Sequence, residues 1–576
     1  MGGAMLAVGM SSCGDAASAT MSDVDYLPVQ ETEGGNWGFL APDGSLLYAD
    51  EFKNQPSVVL DGVFSVEEES GYSLYKAGDK KPELIKGMDQ LLTVGYYNDG
   101  LVPFSRKHER ISVADKSGNV KFTINPVKNK EIVTSADAFS EGLLRVCDEE
   151  GKYGYVDTNG KMVIEPKFND AYDFGEGLAI VSTDSGDGTS KIFAIDKKGA
   201  EVFKIRKDYR CSNKFKNGYL IAIDANDHVV FLDKKGEVAV KLPSKVKNVM
   251  DFNSKYYIYR SKDGVGVNSM EDEQIIRAKY DDIELVGEDE FLCEDSDNKK
   301  ASLRNKEDEA VFEIEDCRYV VYMQQFGIFA RENNYLLYDN EGKPVKGREF
   351  NSFGRNYTAS SGVRSDFFDA GAVANAVVDM LSADGIDKYT LGANPSKFFQ
   401  DPSQYTYTSS VTPEDLKKTG YRFEVAGELK FSESMARYDY SNDYYSSTSS
   451  YVWNPDSKLE SYEIEVEAQS QLGKEAFDAL EKALNTKGYK TVKTFEKDGT
   501  CMGFFANDKV MIAVRAREES SSMGLEGIAK DDNVLKALKE MKDELDNDAL
   551  SNAMRQSQAE AVDSVAAEVV EAVDYY

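Results

Sequence analysis

Apolar and polar positions follow a repeating pattern between Trp37 and Val345. Each copy contains an apolar run that ends at a turn glycine, and successive glycines are 34 to 42 residues apart. These glycines are Gly44, Gly78, Gly118, Gly160, Gly199 and Gly236. The copy from Tyr153 to Val181 is the most complete of about eight. A unit that recurs in this way determines the fold before any single residue is considered.

A second landmark falls between the first ones, so each unit contains two turns. It is an Asp, Glu or Asn followed by Gly and an apolar stretch, with its glycines at Gly62, Gly100, Gly142, Gly177 and Gly218. Such a turn between apolar runs needs a residue with positive φ, which glycine adopts at little cost. Two turns in each unit leave room for three or four short strands.

The unit resembles the WG repeat, a family named for an aromatic-Gly pair at the start of its first strand. That pair is present as Trp37-Gly38-Phe39 and Tyr153-Gly154-Tyr155. The resemblance covers over half of the chain and implies structural roles for the signature positions. They are Trp37, Gly38, Gly44, Gly62, Gly100, Gly118, Gly142, Tyr153, Gly154, Asp157, Gly160, Phe168, Gly177, Gly199, Gly218, Gly236 and Tyr280. The fixed place of the aromatic residues in each unit favours core packing over a sugar-binding stripe.

Strand repeats of this length either close into a propeller or stack as an open solenoid. A trailing half unit from Leu336 to Val345 favours the propeller, because it can complete the first blade and remove exposed sheet edges. We therefore predict a mainly β chain: a repeat-built β-propeller of seven or eight blades, then a small α+β domain and an acidic helical tail.

The repeat pattern stops near Gly347, where a polar segment begins. Beyond it, helical periodicity at Asp366 to Leu381 and Lys474 to Leu484 mixes with strictly alternating strands, which predicts antiparallel strands packed on helices. The predicted organisation is a signal remnant and linker at 1–33, the propeller at 34–347, a linker at 348–364, the α+β domain at 365–525 and an acidic helical or disordered tail at 526–576.

Residues 437–453 carry five tyrosines among serines. Mixtures of Tyr and Ser make adaptable binding surfaces, and a long polar hairpin loop explains the same composition. The sequence leaves both interpretations open.

The net charge of -33 argues against a nucleic acid or an anionic lipid surface as the main partner, since both are bound by Lys and Arg patches. The N-terminus reads as a short apolar run followed by Ser-Ser-Cys-Gly, with the cysteine at Cys13. This resembles the end of a Bacteroidota-type lipoprotein signal, which implies lipidation at Cys13 and a membrane association through that anchor alone. We expect a protein of the bacterial cell envelope.

Candidate chemistry is sparse. The two histidines, His108 and His228, lie in different units without a matching nucleophile, and the cysteines form no C-x-x-C pair. Oxygen-rich turns at 184–188 and 224–227 lack the full spacing of a calcium loop. We therefore predict no catalytic residue, no metal site and no cofactor.

The function that we predict is a non-catalytic, lipid-anchored envelope protein that uses its repeat propeller as an interaction platform. Its partner would be an envelope protein or a glycan, and the binding residues cannot be assigned from the sequence. The alternatives are a cell-surface glycan-binding protein and a carboxylate-dependent hydrolase.

Overall fold

The computed structural model describes residues 19–540, apart from 185–189, 383–384, 421 and 444–445. The chain divides into two compact units, residues 1–366 and 367–576. The first unit consists of short antiparallel sheets, and the second combines one larger sheet with helices. Cys13 and the tail beyond residue 540 lie outside the described residues.

The first unit is a succession of strand groups in which each strand pairs antiparallel with the next. The first three groups are β1 (Val24–Gln30), β2 (Trp37–Leu40) and β3 (Leu46–Phe52); β4 (Val59–Leu60), β5 (Val63–Glu68), β6 (Gly71–Ala77) and β7 (Pro82–Leu84); β8 (Thr93–Val94), β9 (Val102–Ser105), β10 (Ser112–Ala114) and β11 (Val120–Thr123). The next three are β12 (Ile132–Ser135), β13 (Leu143–Asp148), β14 (Tyr153–Asp157) and β15 (Met162–Phe168); β16 (Asp170–Ala171), β17 (Leu178–Asp184), β18 (Ser190–Asp196) and β19 (Glu201–Lys204); β20 (Arg210–Cys211), β21 (Leu220–Ile223), β22 (Val229–Leu232) and β23 (Val238–Lys241). The last three are β24 (Asn248–Phe252), β25 (Tyr256–Ser261), β26 (Gly264–Ser269) and β27 (Gln274–Tyr280); β28 (Asp282–Val286), β29 (Glu290–Asp295), β30 (Lys300–Asn305) and β31 (Ala310–Glu315); β32 (Tyr319–Tyr322), β33 (Ile328–Arg331), β34 (Tyr335–Tyr338) and β35 (Pro344–Phe350).

Consecutive groups bury their apolar faces against each other. Tyr155 and Phe168 of one group, for example, share a buried cluster with Phe174 and Val181 of the next. The first and last groups also share a cluster, which includes Leu27 of β1 and Leu337 of β34. The groups therefore close into a propeller-like ring, and closure leaves no terminal group with a bare apolar face.

Nine groups occur among the described residues, so the predicted count of seven or eight is not confirmed. The later copies are harder to recognise in the sequence because other residues take the positive φ that glycine has in the earlier turns. Asp272 and Asp308 adopt φ angles of 68° and 59° in the turns after β26 and β30. Asp tolerates this conformation better than most residues, so the turn survives without its glycine.

Residues 348–364 are part of the first unit rather than a linker. Two short strands lie in this segment, β36 (Ser352–Phe353) and β37 (Val363–Arg364). β36 pairs with β1 and completes the first group, while β37 pairs with β12. The polar composition of the segment reflects its hydrogen bonds to other strands, not exposure between domains.

The second unit contains a predominantly antiparallel sheet with the strand order β38-β40-β43-β47-β46-β45-β44. Its strands are β38 (Ser410–Val411), β39 (Lys417–Gly420), β40 (Phe423–Phe431), β43 (Leu459–Ala468), β44 (Lys490–Lys497), β45 (Thr500–Ala506), β46 (Val510–Arg517) and β47 (Ser522–Ala529), with a separate hairpin of β41 (Ala436–Asp443) and β42 (Ser446–Trp453). The helices are α1 (Ala370–Met380), α2 (Gly473–Thr486) and α3 (Asp532–Glu540), with short 3-10 turns at Met21–Asp23, Gln324–Phe326, Ile386–Lys388, Pro395–Lys397, Pro402–Tyr405 and Glu414–Leu416.

Both faces of β45 are buried, which explains the layered packing of this unit. Phe505 packs in the cluster that contains α1 and α2, and Phe504 packs in a second cluster with Leu538 of α3. Side chains alternate between the two faces of a strand, so successive residues enter different cores. No helix within the described ranges is long and apolar enough to cross a membrane.

Candidate functional site

A polar cavity of about 510 Å³ lies in the first unit. Three consecutive groups contribute to it at the same place, just after their first strands: Tyr96 follows β8, Asp137 follows β12 and Asp173 follows β16. Arg145 of β13 and the chain segment 355–362 complete the lining. The volume is within the range of about 300 to 1,000 Å³ that is usual for small-ligand sites.

Segment 355–362 is fixed in place by hydrogen bonds to the first strands of other groups. The N–H of Val58 donates to the carbonyl of Asn356 over 2.8 Å, and the Oγ1 of Thr358 donates to the carbonyl of Val94 over 2.6 Å. The ring of Tyr357 lies 5.5 Å from the ring of Tyr96, measured between centroids. This wall of the cavity is therefore held by hydrogen bonds and ring packing rather than left as a free loop.

Asp173 and Arg145 form an ion pair in the cavity wall. The Nε of Arg145 donates to Oδ1 of Asp173 over 2.8 Å, and the two side chains are only 26% and 17% exposed. Burial by itself would lower the pKa of Arg145, but the Asp173 carboxylate outweighs that effect and the pKa rises. The pair thus gives each of these largely buried groups a partner of opposite charge.

Asp137 has no such partner. Its Oδ1 is buried and accepts no hydrogen bond from any described residue, although the carbonyl of Asp137 accepts one from the N–H of Tyr96 over 2.9 Å. Burial raises the pKa of Asp137 to about 6, and the nearby Asp173 carboxylate adds to the rise. A carboxyl with this pKa is about nine-tenths ionised at pH 7. The cavity therefore contains a negative oxygen without a donor.

Arg355 supplies an opposite charge to the same cavity. Its guanidinium lies 5.9 Å from the ring of Phe353 and forms no ion pair within 4.0 Å among the described residues. Glu284 interacts electrostatically with Arg355, and it accepts a hydrogen bond from the N–H of Tyr322 over 2.9 Å. Burial raises the pKa of Glu284 to about 7, so this group is only partly ionised at neutral pH.

The comparisons with known proteins bear on the repeats rather than on the cavity. The family described as "WG containing repeat" matches residues 153–185, which span β14 to β17. This part of the chain is similar to a WG repeat. No curated protein matches the chain.

Several solved structures share a distant likeness with about half of the chain. BamB from Moraxella catarrhalis is 16% identical over 51% of this chain and 92% of that chain, with a TM-score of 0.26. Apo AztD from Citrobacter koseri is 14% identical over 50% and 94%, with a TM-score of 0.28, and the C-terminal WD40 domain of Sif2 is 9% identical over 49% and 83%, with a TM-score of 0.26. TM-scores this low carry no argument about function.

The WG-repeat signature residues lie in turns and cores, and none of them lines the cavity. In the matched repeat, Oδ1 of Asp157 accepts the N–H groups of Asn159 and Lys161, both over 2.9 Å, and Gly160 has a φ of 82°. A side chain at Gly154 would meet the carbonyl of Ile164 at 2.5 Å. The aromatic-Gly pair therefore permits a close approach of β14 and β15.

The remaining sequence candidates have structural partners. His228 lies in a turn, with its Nδ1 3.2 Å from Oδ1 of Asp224, and Asp224 also pairs with Lys241 over 2.7 Å. The other oxygen-rich turn falls mostly on residues 185–189, outside the described residues. No group of three or more His, Cys, Asp or Glu side chains suited to a metal ion occurs in the part of the chain that the structure describes.

A second polar surface lies on the tyrosine-rich hairpin of the other unit. Tyr438 and Tyr451 are cross-strand partners with ring centroids 5.2 Å apart, and they are 49% and 42% exposed. Tyr440 and Tyr407 are exposed to 60% and 79%. The described part of this segment is therefore a β-hairpin on which the rings of Tyr438, Tyr440 and Tyr451 are exposed, and this is compatible with both interpretations of the sequence.

Asp137, Arg355 and Asp173 are the residues that sequence reasoning missed. A partial signal exists, because Asp137 and Asp173 lie five and four residues before Gly142 and Gly177, which are glycines of the second landmark. No local pattern indicates that Arg355 shares a cavity with residues two hundred positions earlier in the chain.

Proposed function

We propose that this protein is a non-catalytic, lipid-anchored binding protein of the bacterial cell envelope, and that its WG-type ring is the interaction platform. The observation that carries the proposal is the cavity beside Asp137, because it combines a suitable volume with two charged groups that lack partners. Partly buried charges without a close counter-ion are costly, and binding a complementary partner reduces the cost.

The test is co-purification after cross-linking in cells of the native source, with an envelope protein or a glycan as the expected partner. We compare the wild type with Asp137→Asn and with the matched control Asp263→Asn, an exposed carboxyl of the same unit. A partner that is retained by wild type and control but lost with Asp137→Asn supports the proposal. Equal capture by all three proteins contradicts it.

The proposed anchor is tested separately, by labelling cells with a radioactive palmitate. The resemblance of the N-terminus to a lipoprotein signal predicts that the wild type takes up label and that Cys13→Ser does not. Equal labelling of both, or of neither, overturns the anchor but leaves the binding proposal standing.

A carboxylate-dependent hydrolase is the alternative that one observation favours. Asp137 has a raised pKa, while neighbouring Asp173 accepts a hydrogen bond from Arg145 over 2.8 Å. Two neighbouring carboxyl groups in such different environments are typical of an acid and base pair. Hydrolysis of para-nitrophenyl glycosides by the wild type, abolished in Asp137→Asn and in Asp173→Asn, would establish the alternative and overturn the non-catalytic role.

Glycan binding at the tyrosine-rich hairpin is the other alternative. Its support is the exposure of the rings of Tyr407, Tyr438, Tyr440 and Tyr451, because sugar rings pack on exposed aromatic faces. Binding of the wild type to a glycan array, lost in a Tyr438→Ala, Tyr440→Ala double variant and kept in Asp137→Asn, would favour the hairpin over the cavity.

A further inference from the structure

The cavity in the first unit is lined by two charged side chains of opposite sign, on which the protein's own opposite charges, Arg145 for Asp137 and Glu284 for Arg355, act only at longer range. Oδ1 of Asp137 is buried without a donor, and Arg355 has no carboxylate within 4.0 Å among the described residues. Both side chains line the same space of about 510 Å³. A ligand that satisfies both must carry a hydrogen-bonding cation and an anion at once.

The neighbouring groups do not replace such a ligand. Asp173 cannot accept a hydrogen bond from a ligand cation without competing with Arg145, to which it is hydrogen-bonded over 2.8 Å. Its negative charge also repels that of Asp137. Glu284 is near Arg355 but accepts the N–H of Tyr322 and is only partly ionised at neutral pH. The charges of Asp137 and Arg355 therefore remain available to a third molecule.

We infer that the cavity binds a compact zwitterion, a free amino acid or a short peptide, with its ammonium group on Asp137 and its carboxylate on Arg355. The ammonium can pair with the carboxylate of Asp137, which lines the cavity, and the planar guanidinium of Arg355 suits a carboxylate. The rings of Tyr96 and Tyr357, 5.5 Å apart, pack on each other in the cavity wall. A plain anion would leave Asp137 without a donor, and a plain cation would leave Arg355 without an acceptor. This inference rests on the proposed binding function and names its ligand class.

The probe is trialanine, compared with N-acetyl-trialanine and trialanine amide, which lack the ammonium and the carboxylate respectively. Calorimetric titration of the full chain should show binding of trialanine and an affinity at least tenfold lower for each blocked peptide. Truncating one partner of a desolvated, hydrogen-bonded charge pair costs at least this much.

Two variants that each remove one charge assign the two ends of the ligand. Asp137→Asn should bind trialanine weakly and no longer distinguish it from the N-acetyl form, and Arg355→Gln should no longer distinguish it from the amide. The matched controls are Asp263→Asn and Arg277→Gln, both exposed residues of the same unit, which should behave as the wild type. Far-UV circular dichroism verifies that each variant is folded.

Three results would overturn the inference: no binding of any probe to the wild type, equal affinity for all three peptides, or unchanged discrimination in both cavity variants. If the probes fail while Asp137→Asn still loses its cross-linked partner, the zwitterion is wrong and the binding function stands. If Asp137→Asn also keeps that partner, the binding function assigned to the cavity fails as well.

Discussion

Replacing Glu284 by Gln should stabilise the ring, and the gain should grow with pH. Glu284 is buried beside β32 and accepts the N–H of Tyr322 over 2.9 Å, a bond that the oxygen of Gln can also accept. Burial raises the pKa of Glu284 from 4.5 to about 7, mainly because the charged form loses its hydration. Above pH 7 the native protein must therefore keep an unfavourable buried charge that Gln lacks.

The direction in which pH changes the free energy of unfolding follows from proton binding. Between pH 4.5 and about 7 the native state binds more protons at Glu284 than the unfolded state does, so raising the pH lowers the free energy of unfolding. The full effect is about 3 kcal/mol, since a tenfold change in proton affinity is worth about 1.4 kcal/mol. Between pH 5.5 and 8.5 the free energy of unfolding should fall by about 2 kcal/mol relative to that of Glu284→Gln, because part of the full destabilisation is already present at pH 5.5.

The assay is urea unfolding at several pH values, followed by tryptophan fluorescence. The chain has two tryptophans, Trp37 in the ring and Trp453 in the second unit, so a Trp453→Phe background leaves Trp37 as the reporter of the ring. The series starts at pH 5.5 because the chain has a pI near 4.6 and associates most readily when uncharged. The slope of the free energy against urea must stay constant for the comparison to hold.

The matched control is Glu273→Gln, an exposed carboxyl in the turn between β26 and β27. It should change the free energy of unfolding by less than about 0.5 kcal/mol at every pH. If the difference between wild type and Glu284→Gln is flat across the pH range, or has the opposite sign, then Glu284 is not held neutral by burial and the electrostatic reasoning is wrong.

Three further outcomes are expected. Arg145→Met should destabilise the ring by about 3 to 5 kcal/mol by urea unfolding, because it leaves Asp173 buried without its counter-ion; a loss below about 1 kcal/mol would show that Asp173 is solvated. Gly95→Ala should lower the melting temperature measured by differential scanning fluorimetry and weaken the binding of any ligand in the cavity, since the new Cβ would meet the carbonyl of Asp137 at 1.9 Å. The control is Gly142→Ala, whose Cβ meets no atom within 4 Å although the residue has a positive φ, so it separates the effect of backbone strain from that of the clash. In the Cys13→Ser variant at pH 8, Ellman's reagent should react with the remaining thiols only after urea is added, because burial raises their pKa values. Rapid reaction in the native protein would contradict the burial of these cysteines, which are Cys147, Cys211, Cys293, Cys317 and Cys501.

The repeat architecture was predictable because the turns depend on local chemistry. Gly160 takes a φ of 82° and Asp157 caps the same turn, so both residues are required where they occur. Apolar alternation then predicts which faces are buried, and Tyr155 and Phe168 are indeed in a core shared by two groups. Local periodicity carries this information without any knowledge of distant contacts.

The count of groups and the end of the first unit were not predictable in the same way. Where Asp308 replaces glycine in a turn, the landmark disappears from the sequence although the backbone keeps its conformation. The segment that contains β36 and β37 reads as a polar linker because its partners, β1 and β12, are hundreds of residues away. Strand pairing of this range leaves no periodic trace in a single short segment.

The cavity is the part of the molecule where sequence reasoning fails most completely, and the reason is physical. A fold that optimised stability alone would give Asp137 a donor and Arg355 a carboxylate, as it does for Asp173 and Arg145 in the same wall. The ring instead keeps two charges without a close counter-ion beside one well-formed ion pair. Local rules of sequence describe stabilising choices, and sites that depart from those rules are where function is expected. The contrast between the two acids of one cavity wall is thus a stronger indication of binding than either acid alone.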